Sequence, residues 1–158
     1  MHRLLEPDGA AATIFEIDYD RLFADGKHVL LYDLDNTLSV GKPDRLTPRV
    51  EELLQELSSK GFRIGILSNR RWKIDAIVSS LSGRFPLHLR AGKPARRGFR
   101  GMLSDLGADP REAVMIGDRR LTDVLGARRS GIHSILVEKM RADPGDGPRS
   151  SGTTSTSR

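Results

Sequence analysis

The chain has 158 residues, of which 37% are hydrophobic and 30% charged, and its formal net charge is +5. This length and composition fit one domain with a sizeable core, and the absence of cysteine excludes disulfides and thiolate metal sites. No apolar run is long enough to span a bilayer, and residues 1–12 lack the charged-then-apolar order of a secretion signal, so we expect a cytoplasmic protein.

The first strong signal is the apolar run at residues 29–32, which is followed directly by Asp33 and, one residue later, Asp35. Because side chains of a strand alternate between its faces, we expect these two carboxylates to project from the same side. Two such acids repel each other unless a cation lies between them or one keeps a proton. The same residues also fit an ordinary strand-to-loop turn, so on their own they leave both interpretations open.

Apolar runs and helical patterns then alternate along the chain. The runs cover residues 62–67, 87–89, 113–116 and 132–137. Each predicted helix has one apolar face with i, i+3, i+4, i+7 spacing: Val50, Leu53, Leu54, Leu57; Ile74, Ile77, Val78, Leu81; and Phe99, Met102, Leu103, Leu106. Thr47-Pro48 is typical of a helix start, and Gly61 and Gly107 of helix ends. The alternation predicts an α/β fold of three layers, a Rossmann-like parallel sheet with helices on both faces.

Polar residues follow four of the predicted strands. They are Asp33 and Asp35, then Ser68 and Asn69, then Lys93, and finally Asp118 and Asp123. Carboxyl ends of parallel strands share one edge of the sheet, where ligands of such folds bind. Each residue alone could be a helix cap, a loop residue or a helix-dipole partner. Their coincidence at four strand ends favours a site for a divalent cation and a phosphoryl group.

The order and spacing of these residues resemble the haloacid dehalogenase superfamily of aspartate-nucleophile phosphatases, whose motifs are DxDx[TV], [ST], K and an acidic pair. The segments DLDNTL, SNR, KP and GDRRLTDVLGARRSGIHSILV are similar to subfamily IIIA, the group that contains phosphatidylglycerophosphate phosphatases. The resemblance runs from about residue 14 to residue 137. We therefore expect an N-terminal extension at 1–13, a phosphatase domain without a cap at 14–141 and a disordered tail at 142–158.

The resemblance also implies a role for each site residue. Asp33 is expected to be the nucleophile and Asp35 the acid–base residue. Phosphate-binding roles fall on Ser68, Asn69 and Lys93, and Mg²⁺ is expected to be held by Asp33, Asp118 and the backbone carbonyl of Asp35, with Asp123 in support. Three residues depart from the pattern of the group and bear on substrate contacts: Arg70, Arg119 and Arg120.

The spacing of the motifs leaves no room for an inserted cap domain. Asp33 and Ser68 are 35 positions apart, and Ser68 and Lys93 are 25 apart. Each interval fits one crossover helix and its loops. An open site of this kind favours a large substrate, or an oligomer whose second subunit covers the site.

The segment between residues 68 and 104 carries nine basic residues and one acidic residue. These arginines could simply solvate helix faces, or they could form an electropositive surface that recruits an anionic membrane. The resemblance to subfamily IIIA implies a phosphatase that converts phosphatidylglycerophosphate to phosphatidylglycerol at the inner face of the membrane, where such a surface could dock. The alternative is a phosphatase of a nucleic-acid 3′-phosphate end, which is less expected because few aromatic residues are present to stack on bases. A non-enzymatic anion-binding module would have little use for the paired acids Asp33 and Asp35.

Overall fold

The computed structural model describes residues 2–41, 43–71 and 75–142, and within them six parallel strands form one sheet. The strands are β1 (Gly9–Ala11), β2 (Val29–Tyr32), β3 (Arg63–Leu67), β4 (Leu87–His88), β5 (Ala113–Gly117) and β6 (His133–Val137). Their order in the sheet is β1-β6-β5-β2-β3-β4. The strand order therefore reverses at β2, which pairs with β3 on one side and β5 on the other.

Five α-helices connect these strands within the described residues. They are α1 (Tyr19–Ala24), α2 (Pro48–Ser59), α3 (Ala76–Leu81), α4 (Arg96–Leu106) and α5 (Leu125–Arg129). As predicted, α2 begins at Thr47-Pro48, where the Thr47 side chain accepts a hydrogen bond from the Val50 N–H. The predicted helix ends are also confirmed, because Gly61 and Gly107 have positive φ angles of 105° and 59°.

The alternating side chains of β2 show how the sheet is covered on both faces. Leu30 and Tyr32 belong to a buried cluster that includes residues of α1, α2 and α3. Val29 and Leu31 belong to a second buried cluster, which includes Phe99 of α4 and Ala127 of α5. The three-layer α/β fold predicted from the sequence is therefore confirmed.

The strand β1 is the main feature that the sequence analysis did not predict. Gly9–Ala11 lies within the segment expected to be an N-terminal extension, yet it pairs in parallel with β6 at the edge of the sheet. The side chain of Asp8 reinforces this pairing by accepting a hydrogen bond from the Ser134 N–H at 2.9 Å. A three-residue strand of glycine and alanine has no local pattern that would identify it, because only its partner strand stabilises it.

Some predictions fall partly or wholly outside the described residues. Ile74 of the second predicted helical face lies outside them, as do Trp72, Lys73 and residues 143–158 of the predicted tail. Within the described ranges no cap domain is inserted between the strands, as predicted. No helix in the same ranges is both long and apolar enough to cross a membrane.

Candidate active site

Asp33 lies just beyond the end of β2 and remains aligned with the neighbouring strand. Its N–H donates to the Ile116 carbonyl at 3.0 Å, and its carboxylate accepts from the Leu34 N–H at 2.9 Å. The chain then reverses at Asn36, whose φ of 61° is a left-handed conformation that asparagine tolerates. Asp33 and Asp35 line the same cavity, which has a volume of about 210 Å³ and is called the acidic cavity below.

Lys93 provides the positive charge of this site. Its ammonium lies 3.2 Å from Asp33 Oδ1 and 2.7 Å from Asp123 Oδ1, and its side chain is only 1% exposed. A buried ammonium is costly unless it is paired, and two carboxylates satisfy it here. The phosphate-binding role expected for Lys93 is compatible with this position, where its ammonium also offsets the charge of two carboxylates.

Asp123 reaches the site through an irregular turn. The pattern predicted a helix after β5, but residues Arg120–Val124 form a π-helical turn that precedes α5. This turn holds Asp123 almost fully buried, with Oδ2 accepting from the Arg119 N–H at 3.2 Å. A Cβ on Gly117 would lie 2.1 Å from the same oxygen, so only glycine allows this close approach.

Three carboxylates converge beside the ammonium of Lys93. Asp33, Asp118 and Asp123 each offer one oxygen, and these oxygens lie within 4.8 Å of one another. Thr37 orients Asp118 by donating its hydroxyl to Oδ1 at 3.3 Å. Hard divalent cations are bound by carboxylate oxygens, so this donor set fits such an ion. The sequence predicted a metal site at Asp33, Asp118 and the backbone carbonyl of Asp35, with Asp123 in support, and the structure brings the carboxylates of Asp33, Asp118 and Asp123 together.

Burial shifts the pKa values of two acids in the cluster. Burial raises the pKa of Asp33 from 3.8 to about 6, an effect that Lys93 opposes and the charge of Asp123 reinforces. Burial also raises the pKa of Asp118, and Asp123 again adds to the effect. Both acids are therefore disfavoured as anions in this environment. A bound divalent cation would relieve that cost, which is a second reason why the residues fit a metal.

Ser68 and Asn69 follow β3 at the same edge of the sheet. Both line the acidic cavity, and Ser68 is only 1% exposed. The amide of Asn69 is already engaged, because Nδ2 donates to the Lys93 carbonyl at 2.9 Å and Oδ1 accepts from the Lys93 N–H at 2.8 Å. Asn69 therefore fixes the backbone of the lysine loop, and its own N–H is the group that remains for a phosphate.

Arg70 is the site residue whose contacts sequence reasoning missed. Its guanidinium binds both carboxylate oxygens of Asp35, at 2.5 and 3.3 Å, and also Oδ2 of Asp75 at 2.5 Å. The hydrogen bond to Asp35 is the main reason why the pKa of Arg70 is raised. The sequence relates Arg70 to substrate contacts through its basic character after Ser68-Asn69, and this signal does not indicate an internal partner. Arg120 was interpreted in the same way, but its side chain donates to the Leu5 carbonyl instead.

The buried charge on Asp33 predicts a pH-dependent gain in stability when that charge is removed. Above the folded pKa of about 6 the carboxylate is ionised in a poorly solvated place, whereas below 3.8 it is protonated in both states and costs nothing. Metal-free Asp33→Asn should therefore be more stable than the wild type at neutral pH, by up to about 3 kcal/mol, or several degrees in Tm. The gain should shrink as the pH falls through 6 towards 3.8.

Thermal unfolding in a chelator at about pH 4 and about pH 8 measures this difference. Asp44→Asn is the matched control, because it removes the same charge from an exposed carboxylate outside the acidic cavity. An equal gain at both pH values would show that ionisation of Asp33 is not its cause.

Comparison with known proteins places this geometry in a family. Residues 2–131 match the family model described as haloacid dehalogenase-like hydrolase. A Bacillus subtilis protein, described as probable phosphatase YqeG, is 32% identical over 139 residues, which are 88% of this chain and 80% of the relative. The chloroplastic phosphatidylglycerophosphate phosphatase 1 of Chlamydomonas reinhardtii is 29% identical, and the match covers 85% of this chain but only about half, 53%, of that relative.

Solved structures support the same fold. A 4-nitrophenylphosphatase from Thermotoga maritima aligns with a TM-score of 0.55 at 16% identity, over 77% of this chain and 90% of that chain. An uncharacterized protein from Listeria monocytogenes aligns with a TM-score of 0.59 at 23% identity, over 73% and 83%. The family model spans most of the chain, and the polar residues that follow β2 and β3 line one acidic cavity together with Lys93. The chain therefore belongs to the haloacid dehalogenase-like hydrolases and is a phosphatase of that family.

Proposed function

We propose that this phosphatase is a magnesium-dependent phosphomonoester hydrolase that forms an aspartyl-phosphate on Asp33, and that its substrate is phosphatidylglycerophosphate, which it converts to phosphatidylglycerol. The observation that carries the reaction is the acidic cavity itself. There the buried carboxylate of Asp33, a member of the acidic cluster, is paired with the ammonium of Lys93, which is buried still more deeply. This arrangement suits an anionic phosphoryl group that arrives together with a cation.

In the proposed reaction Asp33 attacks phosphorus in line, and the bond to the leaving alcohol breaks. Asp35 protonates the departing oxygen and then, as the carboxylate, takes a proton from the water that hydrolyses the aspartyl-phosphate. Lys93, the Ser68 hydroxyl and the Asn69 N–H hold the phosphoryl oxygens. Mg²⁺, held by Asp33, Asp118 and the Asp35 carbonyl with support from Asp123, would supply charge neutralisation when bound.

Arg70 adds a step to this scheme. In the structure its guanidinium donates to both oxygens of Asp35, so each of these oxygens already has a hydrogen-bond partner before substrate arrives. Arg70 also lines the acidic cavity, where an incoming phosphate offers it an alternative bidentate partner. Exchange of Arg70 from Asp35 to the phosphate would free the acid when substrate is present.

The role of Asp35 predicts an effect that depends on the leaving group. Asp35→Asn should lower kcat by about 100-fold or more for an alkyl phosphate, whose alkoxide needs a proton, and much less for nitrophenyl phosphate. Initial rates on glycerol phosphate and 4-nitrophenyl phosphate measure the two losses. Asp75→Asn is the matched control, because it also removes a carboxylate from Arg70 but does not line the acidic cavity. Equal losses on both substrates would remove the case for Asp35 as a general acid.

The size of the acidic cavity supports a large substrate. Its volume of about 210 Å³ lies below the 300–1,000 Å³ that is usual for small-molecule sites. A phosphoryl group fits, but most of any larger substrate must lie outside. The described residues contain no cap that would enclose a metabolite. The similarity to a phosphatidylglycerophosphate phosphatase then favours a lipid whose phosphate projects from a membrane.

The arrangement of the basic segment supports membrane recruitment by only some of its residues. Arg70, Arg84 and Lys93 form ion pairs with carboxylates of the same chain. By contrast Arg96, Arg97 and Arg100 are exposed on the first turns of α4. Cations at a helix N-terminus oppose the helix dipole, and the first turn of α4 contains no acid to compensate. This locally unfavourable charge is consistent with a surface that binds an anionic partner.

Reversing these charges should separate membrane recruitment from chemistry. The triple variant Arg96→Glu, Arg97→Glu, Arg100→Glu is expected to hydrolyse phosphatidylglycerophosphate in anionic vesicles at least about tenfold more slowly, since each basic residue contributes roughly 1 kcal/mol of attraction to an acidic bilayer. Hydrolysis of 4-nitrophenyl phosphate should change little, and the vesicle preference of the wild type should weaken with added salt. The measured quantity is the ratio of the two rates.

The control variant carries the same change of charge at the opposite edge of the sheet: Arg21→Glu, Lys60→Glu, Arg111→Glu. These exposed residues lie in or next to segments that lead into the amino ends of β2, β3 and β5. An equal fall in the ratio for both triple variants would contradict docking through α4. Faster turnover of a 3′-phosphorylated oligonucleotide than of the vesicle lipid would favour the nucleic-acid substrate instead.

A further inference from the structure

A second cavity opens at the same edge of the sheet, on the side of β1 and β6. Its volume is about 360 Å³, within the range usual for ligand sites. Its apolar lining includes three buried side chains, Ile14, Val50 and Val137. It also includes three half-buried side chains, Phe15, Val40 and Met140. We call it the apolar groove. None of these residues is used in the reaction proposed above.

Residues of the loop that follows β2 line both the apolar groove and the acidic cavity. Thr37 lines the groove, and its hydroxyl donates to Asp118 of the acidic cluster. Ser39 also lines the groove, and it forms a short β-bridge with Asp35 of the acidic cavity. The loop that follows β2 therefore presents one side to the phosphoryl site and the other to the groove. A molecule that crosses this loop would reach both.

The charges around the groove indicate which kind of molecule fits. Four exposed cations border it, Arg45, Arg49, Lys139 and Arg141, against the single acid Glu138. The guanidinium of Arg49 lies 3.9 Å from the centre of the Phe15 ring, so the cationic border adjoins the apolar lining directly. An apolar cavity with a cationic border complements a molecule that has an apolar chain and an anionic group.

We propose that the apolar groove binds an acyl or alkyl chain of an anionic amphipathic substrate, while the phosphate monoester of that substrate enters the acidic cavity. The proposal rests on the phosphatase function above and adds a site for the apolar part of the substrate. The remaining chain, residues 143–158, is an unsuitable occupant, because it contains no aliphatic or aromatic side chain larger than proline. Charge complementarity favours an anionic lipid over a second copy of this basic protein.

A binding series tests the groove without requiring turnover. Butyl-, hexyl- and octylphosphonate are titrated into the full chain with magnesium, below their micelle concentrations, and Kd is measured by calorimetry. A fully buried methylene strengthens binding by up to roughly fourfold, so octylphosphonate should bind at least about tenfold more tightly than butylphosphonate. A Kd that does not change along the series would overturn the proposal.

Variants locate the effect in the groove. Val40→Thr with Met140→Gln adds polar atoms with little change of volume, and it should reduce the advantage of octyl over butyl by at least about fivefold. Leu4→Gln is the matched control, since it replaces an exposed apolar residue outside the groove and should retain the full advantage. If the double variant does not fold, Val40→Thr alone makes the same test. Equal effects of the groove and control variants would overturn the proposal.

Two further measurements separate this proposal from its alternatives. Turnover of 4-nitrophenyl phosphate in the same preparations tests the phosphatase function. If the protein does not hydrolyse this substrate but its Kd still depends on chain length, the phosphatase function alone is contradicted. If it hydrolyses the substrate but its Kd does not depend on chain length, binding of the chain in the apolar groove alone is contradicted. Sedimentation tests the second copy. A wild-type dimer that the groove variant converts to a monomer would show that another subunit covers the groove, and it would overturn the proposal.

Discussion

Replacing Asp33 by Asn is expected to lower phosphatase activity by at least on the order of 1,000-fold on every phosphomonoester, which corresponds to about 4 kcal/mol of barrier. An amide does not form the acyl phosphate on which the proposed reaction depends. The fold should survive, because the substitution removes only one buried charge. Lys93 also keeps the shorter of its two ion pairs, the one with Asp123. Loss of activity combined with the predicted gain in stability would be difficult to explain by misfolding.

The measurement uses 4-nitrophenyl phosphate and an alkyl phosphate, so that leaving-group effects do not obscure the result. Mass spectrometry of acid-quenched wild-type enzyme should find phosphate on the peptide that contains Asp33, and should not find it in the variant. Asp44→Asn again serves as the charge-matched control. Retention of even a tenth of the wild-type rate, a difference of only about 1.4 kcal/mol, would rule out Asp33 as an obligatory nucleophile once contaminating phosphatase is excluded.

Removal of the divalent cation should have an effect of similar size. In a chelator, activity should fall by about 100-fold or more and return with magnesium but not with calcium, because calcium prefers more ligands at longer distances and would misplace the phosphoryl group. Asp118→Asn should show the same loss even in magnesium, since it removes a charged oxygen from the acidic cluster. Full activity in the chelator would contradict a metal-dependent reaction.

A readout without turnover makes the metal prediction more specific. Magnesium should raise the Tm of the wild type, because an ion that binds only the folded state stabilises it by about 2.7 kcal/mol at 100 times its Kd. The increase should be absent or much smaller in Asp118→Asn. Asp105→Asn is the control, because Asp105 of α4 pairs with His88 of β4 and lies outside the acidic cluster. A magnesium effect of equal size in all three proteins would place the ion elsewhere.

Much of this molecule could be predicted from its sequence, because the relevant signals are local. The alternation of apolar strands and helical faces follows from which side chains must be buried, and the structure places β2, β3, β4, β5 and β6 within a residue or two of the predicted runs. Parallel strands point in one direction, so polar residues at their carboxyl ends must share an edge. For this reason the sequence alone predicts one shared site for its strand-end residues: Asp33, Asp35, Ser68, Asn69, Lys93, Asp118 and Asp123.

The tertiary structure alone decided which of these groups bind one another and what surrounds them. The pairing of Arg70 with Asp35 joins residues 35 positions apart, and the use of the Asn69 amide by the Lys93 backbone joins residues 24 apart. The strand β1 and the apolar groove likewise depend on segments from both ends of the described chain. Such contacts leave no periodic trace in the sequence, because each depends on the precise position of two distant backbones. Burial sets which residues face inward, whereas hydrogen-bond geometry, which acts over a few ångströms, selects their partners.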